Sequence, residues 1–92
     1  MAREVERFIR IERPAPKGWH TIPLGEKVRV WESSSAEADN GSRLALFHVA
    51  FLDGLARGNR VTYLGQRFSV LEISDSKRLV GLELRCEPAS AA

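Results

Sequence analysis

The chain has 92 residues, with 14 lysines and arginines against 12 aspartates and glutamates and a formal net charge of +2. A chain this short forms one small domain with a marginal core, which association with other copies would stabilise. The small net charge does not by itself indicate a nucleic-acid partner, and a single cysteine excludes an internal disulfide or a cysteine-rich zinc site. No apolar run is long enough to span a membrane, and the start lacks a secretory signal. We therefore expect one domain over residues 1–92, made in the cytoplasm.

Two strands are predicted in the first third of the chain. Residues 5–12 alternate apolar and charged side chains, which is typical of a strand, and Pro14 and Pro16 should end it. Residues 14–23 should form an irregular surface connection, because each proline removes a backbone donor. Residues 27–32 resume the alternation, with Val28 and Val30 facing inward.

A long flexible loop is predicted over residues 33–42, because this segment has almost no side chain able to join a core. Loops of this length in a small domain are often functional, although a simple disordered connector has the same composition. We expect an interaction loop formed by Ser33, Ser34, Ser35, Glu37, Asp39 and Asn40. The tail over residues 88–92 is expected to fray.

Residues 43–58 have two interpretations. Ser42 as a cap and Gly58 as an end, with apolar residues near a helical period, favour a helix. An unbroken apolar run over residues 44–52, stopped by the turn dipeptide Asp53-Gly54, favours a strand. The glycine would interrupt a helix at a cost of about 1 kcal/mol, so we favour the strand.

The carboxyl half has the clearest pattern, three antiparallel strands. Residues 60–64 and 67–74 are rich in β-branched and aromatic side chains and predict a hairpin around Gly65-Gln66, with glycine at the first central position. The apolar positions change side between Val70 and Leu71, which indicates either a β-bulge or a strand buried on both faces. Residues 79–87 alternate again, with Cys86 on the apolar side. The fold class expected is mostly β, a small antiparallel barrel or sandwich of five to six strands.

No catalytic constellation is visible, so we do not expect an enzyme, a metal site or a cofactor. His20 and His48 have no partner at metal-ligand spacing, and His48 is expected to be a hydrogen-bonded or interface histidine. The serines lack a nucleophile elbow or a neighbouring base. The aromatic residues could form a stacking platform for single-stranded nucleic acid, but a domain of this size needs most of them in its core.

Several motifs together resemble the head-tail joining (head-completion or stopper) proteins of long-tailed bacteriophages. The similar features are an apolar strand ending at Asp53-Gly54, an Arg-Val-x-Tyr strand at 60–63, a Gly-x-x-aromatic-x-Val hairpin at 65–70 and a last strand Leu-x-Leu-x-Cys-Glu at 82–87. Residues 10–14 and the dipeptide Val30-Trp31 resemble the first two strands of that family. The resemblance covers most of the chain.

The resemblance implies a small barrel subunit that assembles as a ring, a hexamer or dodecamer, at the portal vertex. It implies portal or connector protein and tail proteins as partners, packaged DNA as a contact in the lumen, no membrane, and a final location at the head-tail junction of the virion. We expect the joining contacts to involve the interaction loop and charged edges at Arg7, Arg10, Arg29 and Arg57. The alternative is a small nucleic-acid-binding barrel of host origin, which basic residues clustered with exposed aromatics on one face would favour.

Overall fold

A computed structural model of the chain describes residues 7–37, 41, 43–75 and 81–89, and all regular structure in these residues is β. The eight strands are β1 (Phe8–Ala15), β2 (Gly18–Thr21), β3 (Val28–Arg29), β4 (Glu32–Glu37), β5 (Arg43–Val49), β6 (Arg60–Tyr63), β7 (Gln66–Asp75) and β8 (Leu82–Pro88). The predicted mostly β, antiparallel class is confirmed. The number of strands exceeds the expected five or six because β2 and β4 form in segments that were predicted to be an irregular connection and a loop.

The strands form one antiparallel sheet in the order β2-β1-β6-β7-β8-β5-β4, and β3 also pairs with β1. The sheet is not closed by a complete ladder. Residues 30 and 31 nevertheless connect the two halves of the sheet. The amide of Val30 donates to the carbonyl of Arg7, next to β1, and the amide of Trp31 donates to the carbonyl of His48 in β5, each at 2.8 Å. The sheet is therefore wrapped around a single core.

The core consists of side chains on the inner face of this wrapped sheet, and the strands around β1 and those around β5 both contribute to it. Phe47 makes edge-to-face contacts with Tyr63 and Phe68, with ring centroids 5.1 and 5.6 Å apart. Leu84 and Cys86 are fully buried, as the alternation in the last strand predicted. The buried cluster is completed by Ile9, Ile11, Ile22, Val28, Val30, Val49, Val61 and Val70.

A β-bulge interrupts the pairing of β7 with β8. Val70 pairs with Cys86 and Glu72 with Arg85, so Leu71 is the extra residue. The bulge places Ile73 against the same core as Val70, whereas Leu71 is only half-buried and lies outside the core cluster. The bulge interpretation of the sequence is confirmed.

The β6–β7 hairpin is confirmed, but its turn differs by one residue from the prediction. Tyr63 pairs with Gln66, so the two turn residues are Leu64 and Gly65, with φ angles of 50° and 80°. Two positive φ values are the pattern of a type I′ turn, whose backbone twist matches that of the flanking strands. Glycine is therefore the second central residue, and a leucine occupies the other left-handed position.

Replacing Leu64 with asparagine should stabilise the domain by about 0.5–1 kcal/mol, because asparagine adopts the left-handed conformation more readily than leucine. Leu64 is 71% exposed, so little packing is lost. Denaturant unfolding of the two proteins would measure the change. Leu64→Ala is the matched control and should bring no such gain, since alanine has the same backbone penalty as leucine; a gain of equal size would show that the turn conformation is not responsible.

The first half of the predicted flexible loop, residues 33–37, is a strand instead. Ser33, Ser34, Ser35 and Glu37 lie in β4, which pairs with β5 from Glu32↔His48 to Glu37↔Arg43. The serines contribute backbone groups to this ladder and need no apolar side chain to do so. Asp39 and Asn40 lie outside the described residues.

The irregular connection predicted over residues 14–23 is also wrong. β1 continues through Pro14 to Ala15, and β2 pairs with it, with Pro14 opposite Trp19. A proline is tolerated there because this pairing involves a short edge strand, in which not every residue donates a ladder bond.

The strand interpretation of residues 43–58 is confirmed by β5, which ends at Val49, and the Asp53-Gly54 turn follows as predicted. The chain is also ordered further into the tail than expected. Pro88 belongs to β8, and the amide of Ala89 donates to the carbonyl of Arg67 at 3.0 Å.

Candidate interaction surfaces

One outer face of the sheet, formed by β1, β3, β6 and the start of β7, is basic. Because Ile9, Ile11, Val61 and Phe68 face the core, their neighbours in each strand point outward. Arg10 lies opposite Thr62, which lies opposite Arg67, so these residues form one row across three strands. The basic face comprises Arg10, Lys27, Arg29, Arg60 and Arg67. The carboxylate of Glu12 lies opposite Arg60 on this face, and Glu87 continues the same row beyond Ser69.

Aromatic rings on the basic face are covered by its cations. The Nζ atom of Lys27 lies 4.4 Å from the centre of the Phe8 ring, and the Arg29 guanidinium lies 4.9 Å from that of Trp31. Such contacts favour a cation over an aromatic face. They also hold the long cationic side chains close to the sheet.

Glu12 and Arg60 form the most buried ion pair among the described residues. Arg60 donates from Nε and Nη2 to Glu12 Oε1, at 3.1 and 2.9 Å, and its guanidinium lies 4.5 Å from the centre of the Trp19 ring. The two charged side chains are only 17% and 11% exposed. Arg60 therefore neutralises Glu12, and the remaining cations set the charge of the face.

The outer face of β4, β5, β8 and the second half of β7 is acidic. It carries Glu32, Glu72 and Glu83, with Arg85 as its one cation in the described strands. Glu83 Oε2 accepts a hydrogen bond from His48 Nε2 at 2.8 Å, while His48 Nδ1 is buried without a partner. His48 is thus a hydrogen-bonded histidine, as predicted, and it lies on this face beside the half-buried Leu46.

An apolar groove of about 370 Å³ lies beside the β6–β7 turn. Its floor contains Ala45, Phe47, Tyr63 and Phe68, and Leu64 lies at its rim. One wall is β4, through Ser33, Ser34 and Ser35. These three serines were predicted to belong to an interaction loop, but they lie in a strand and line this groove. We call this groove the hairpin-end site.

A second apolar cleft lies beyond the other end of β6, where the β5–β6 connection meets the turn before β3. It is lined by Pro23, Leu24, Phe51, Leu52 and Asp53. Leu24 is 84% exposed and Phe51 is 63% exposed, which is unusual for large apolar side chains. Leu24 also has a φ of 62° in a turn closed by the Gly25 amide and the Ile22 carbonyl at 2.8 Å. We call this cleft the connection-end site.

The four predicted interface arginines do not form one cluster. Arg10 and Arg29 lie on the basic face, and Arg7 is adjacent, with Nη1 donating to the Tyr63 hydroxyl at 3.3 Å. Arg57 is exposed in a turn of the β5–β6 connection and belongs to no strand. Glu37 lies opposite Arg43 at the end of β4.

The aromatic residues are divided between core and surface. Phe47 and Phe68 are buried as expected, but Trp19, Trp31 and Phe51 are exposed, so the prediction that the aromatics fill the core is wrong for these three. Sequence reasoning also missed Glu12, Leu24 and the acidic face. The sequence did contain a signal for the turn that exposes Leu24. Residues 23–25 are a proline, an apolar residue and a glycine, which is typical of a turn.

The side chains that could act as nucleophiles, bases or metal ligands do not cluster among the described residues. Burial raises the pKa of the Cys86 thiol to about 12, which keeps the thiol protonated near neutral pH. His20 is exposed on β2. No three metal-ligating side chains come together in the described ranges, and no helix in those ranges is long and apolar enough to cross a membrane.

No protein-family model, curated protein or solved structure matches this chain.

Proposed function

We propose that the protein is a structural subunit of the neck of long-tailed bacteriophages and prophages. In this role it forms a ring that closes the DNA-filled head and provides the surface to which the tail attaches. It acts by assembly and contact, without turnover. The motifs at Asp53-Gly54, 60–63, 65–70 and 82–87 support the proposal through their resemblance to head-tail joining proteins.

The observation that carries the proposal is the presence of two separate apolar sites at the two ends of β6. The hairpin-end site exposes Leu64 and the connection-end site exposes Leu24 and Phe51. Exposed apolar clefts of this kind mark surfaces that bind other molecules. A subunit between a head and a tail needs one such surface for each partner. We therefore assign the two sites to a portal-side protein and a tail-side protein.

A ring subunit must in addition bind its own neighbours through two different patches. The protein would assemble in the host cytoplasm and remain at the head-tail junction of the virion. Packaged DNA is the proposed occupant of the ring lumen.

A nucleic-acid-binding barrel is the second candidate, and the basic face favours it. Arg10 and Arg67 share this face with the exposed rings of Trp19 and Trp31, a combination that suits a phosphate backbone and stacked bases. Each tryptophan ring is, however, already contacted by a guanidinium, that of Arg60 for Trp19 and that of Arg29 for Trp31. The acidic face would also repel nucleic acid, so we place this candidate second.

The test of the proposed function is in vitro complementation of DNA-filled heads that lack this protein. Wild-type protein should restore infectious particles when tails are added. Leu24→Asn, Phe51→Ser and Leu64→Asn should each reduce the yield by roughly 10-fold or more, because each removes a large apolar contact from one site. Leu24→Asn and Leu64→Asn introduce a residue suited to the positive φ of these positions, so circular dichroism should show folded protein.

Lys17→Ser is the matched control for these variants, since Lys17 is exposed in the β1–β2 turn and lies in neither site. Normal yields from all three apolar variants would refute the role of the two sites. Wild-type protein that restores no heads but binds single-stranded DNA with a steep salt dependence would favour the second candidate.

A further inference from the structure

We propose that the hairpin-end site binds an extended segment of a partner protein, which adds to the sheet as a further strand along the free edge of β4. This inference rests on the proposed function and deepens it, because it names how one of the two assigned partners is bound. The segment alternates apolar and polar side chains. Its apolar side chains enter the groove, and it carries a carboxylate at the end where Arg7 lies.

The free edge of β4 is the first observation. Among the described strands, β5 alone pairs with β4, which is the last strand of the sheet. No backbone group of residues 33–37 bonds to a described residue outside β5. Each strand residue carries one backbone donor and one acceptor, and alternate residues direct theirs to opposite edges of the strand. The outer edge of β4 therefore offers a row of donors and acceptors at the spacing of another strand.

This edge lacks the residues that usually keep an exposed strand from pairing with another chain. Proline and lysine are common at such edges for that reason. β4 (Glu32–Glu37) contains neither, and its centre consists of three serines and an alanine, whose small side chains leave the backbone accessible. An extended segment fits such an edge best, since its backbone can satisfy the whole row of donors and acceptors.

The groove provides space for alternate side chains of the added strand. Ser33 lies opposite Phe47 and Ser35 lies opposite Ala45, and both partners belong to the groove floor. The two serine side chains are therefore on the groove side of β4. A strand beside β4 would direct every second side chain over the same floor, where about 370 Å³ is open. Apolar side chains at these positions would bury the floor, and those between them would face solvent.

Arg7 provides charge complementarity at one end of the groove. Its Nη1 atom donates to the hydroxyl of Tyr63, a floor residue, at 3.3 Å. Arg7 has no carboxylate at ion-pair distance within the described ranges, and Glu32, which begins β4 close by, is itself engaged in an interaction. The guanidinium fork can therefore bind a carboxylate of the incoming segment at two points. Arg43 lies at the other end of β4, but Glu37 is opposite it, so we assign the carboxylate to the Arg7 end.

The probe for this site is the synthetic peptide Asp-Val-Thr-Val-Thr-Val-Asp with blocked ends, which has the proposed alternation and a carboxylate at both ends. Fluorescence polarisation of the labelled peptide measures its binding to the full chain. Amide hydrogen exchange measures protection of residues 33–37 by the peptide. Two derivatives carry N-methyl groups, one on the valine amides and the other on the amides between and after them. Only one of the two should lose binding, by at least about 10-fold, because a strand presents alternate amides to one neighbour.

Variants of the protein test the groove and the charge separately. Ser35→Trp should weaken binding at least about 10-fold, because the ring would fill the groove while an aromatic residue still suits a strand. Ser34→Trp is its matched control and should bind like wild type, since Ser34 lies opposite Leu46 on the outer face. Arg7→Glu should weaken binding by a similar factor. Arg13→Glu makes the same charge change at an exposed position of β1 away from the groove and should not. Circular dichroism checks that all variants are folded.

The inference is overturned if the peptide does not bind at millimolar concentration, if both N-methylated peptides bind equally, or if Ser35→Trp and Ser34→Trp have equal effects. Protection of residues 33–37 that rises with protein concentration and excludes the peptide would assign the edge to a second copy instead. Peptide binding only after deletion of residues 1–6 would assign the edge to this chain. Either result would also reject a partner segment.

These outcomes are separable from that of head complementation. Peptide binding that follows the variants, together with failure of wild-type protein to complement heads, would retain the strand-binding site and reject the neck function. Normal complementation by wild-type protein and by Ser35→Trp, without peptide binding, would do the reverse.

Discussion

Replacing Gly81 with alanine should destabilise the domain by about 3 kcal/mol, the largest effect we expect from a single methyl group in this chain. Gly81 is buried immediately before β8 and has a φ of 144°, which L-residues rarely adopt. A Cβ atom there would overlap the carbonyl oxygen of Val49 and lie 3.3 Å from the Cα atom of Ala50. Both neighbours are backbone, so relief requires β5 and β8 to separate.

Thermal unfolding of Gly81→Ala should show this as a fall in Tm of roughly 10–20 °C, given the usual entropy of unfolding for a domain of this size. Gly58→Ala is the matched control. Gly58 has a φ of 88° but no atom within 4 Å of the added Cβ, so it carries the backbone penalty without the overlap. It should cost about 1 kcal/mol. Equal losses for the two variants would show that the approach of Gly81 to β5 is not tight.

Replacing Arg60 with methionine should destabilise the domain by about 2–3 kcal/mol. The substitution keeps an unbranched apolar chain but leaves the Glu12 carboxylate, only 11% exposed, without its cation. A charge left unpaired in a largely buried position is costly, and the remaining solvent exposure of the pair places the loss below that of a fully enclosed pair. The stacking of Arg60 on Trp19 is lost as well.

The double variant Arg60→Met/Glu12→Leu tests the cause of that loss. An apolar pair of similar volume should recover most of the stability, because no unpaired charge remains. Urea unfolding of the single and double variants would give the comparison. If the double variant is no more stable than Arg60→Met, the loss comes from packing against Trp19 and not from the carboxylate.

The candidate surfaces could be predicted only in part. Arg10 and Arg29 were recognisable as exposed charges from the alternation of their strands, and they do lie on the basic face. Their grouping with Arg67 depends on the order β1-β6-β7, which brings together residues more than fifty positions apart. Sequence patterns report which side of a strand a residue occupies but not which strand lies next to it. The two opposed faces were therefore invisible before the sheet order was known.

The sequence by itself determined the β class, the β6–β7 hairpin and the inward position of Cys86, and it left a bulge near Leu71 as one of two alternatives. Each of these follows from side-chain alternation or turn chemistry within about ten residues, which is local information. Tertiary structure alone decided that Ser33, Ser34 and Ser35 form a strand, that β1 passes through Pro14, and that glycine is second in the hairpin turn. In these places the backbone hydrogen bonds of a partner strand outweigh local composition, because the partner satisfies donors and acceptors that the side chains cannot.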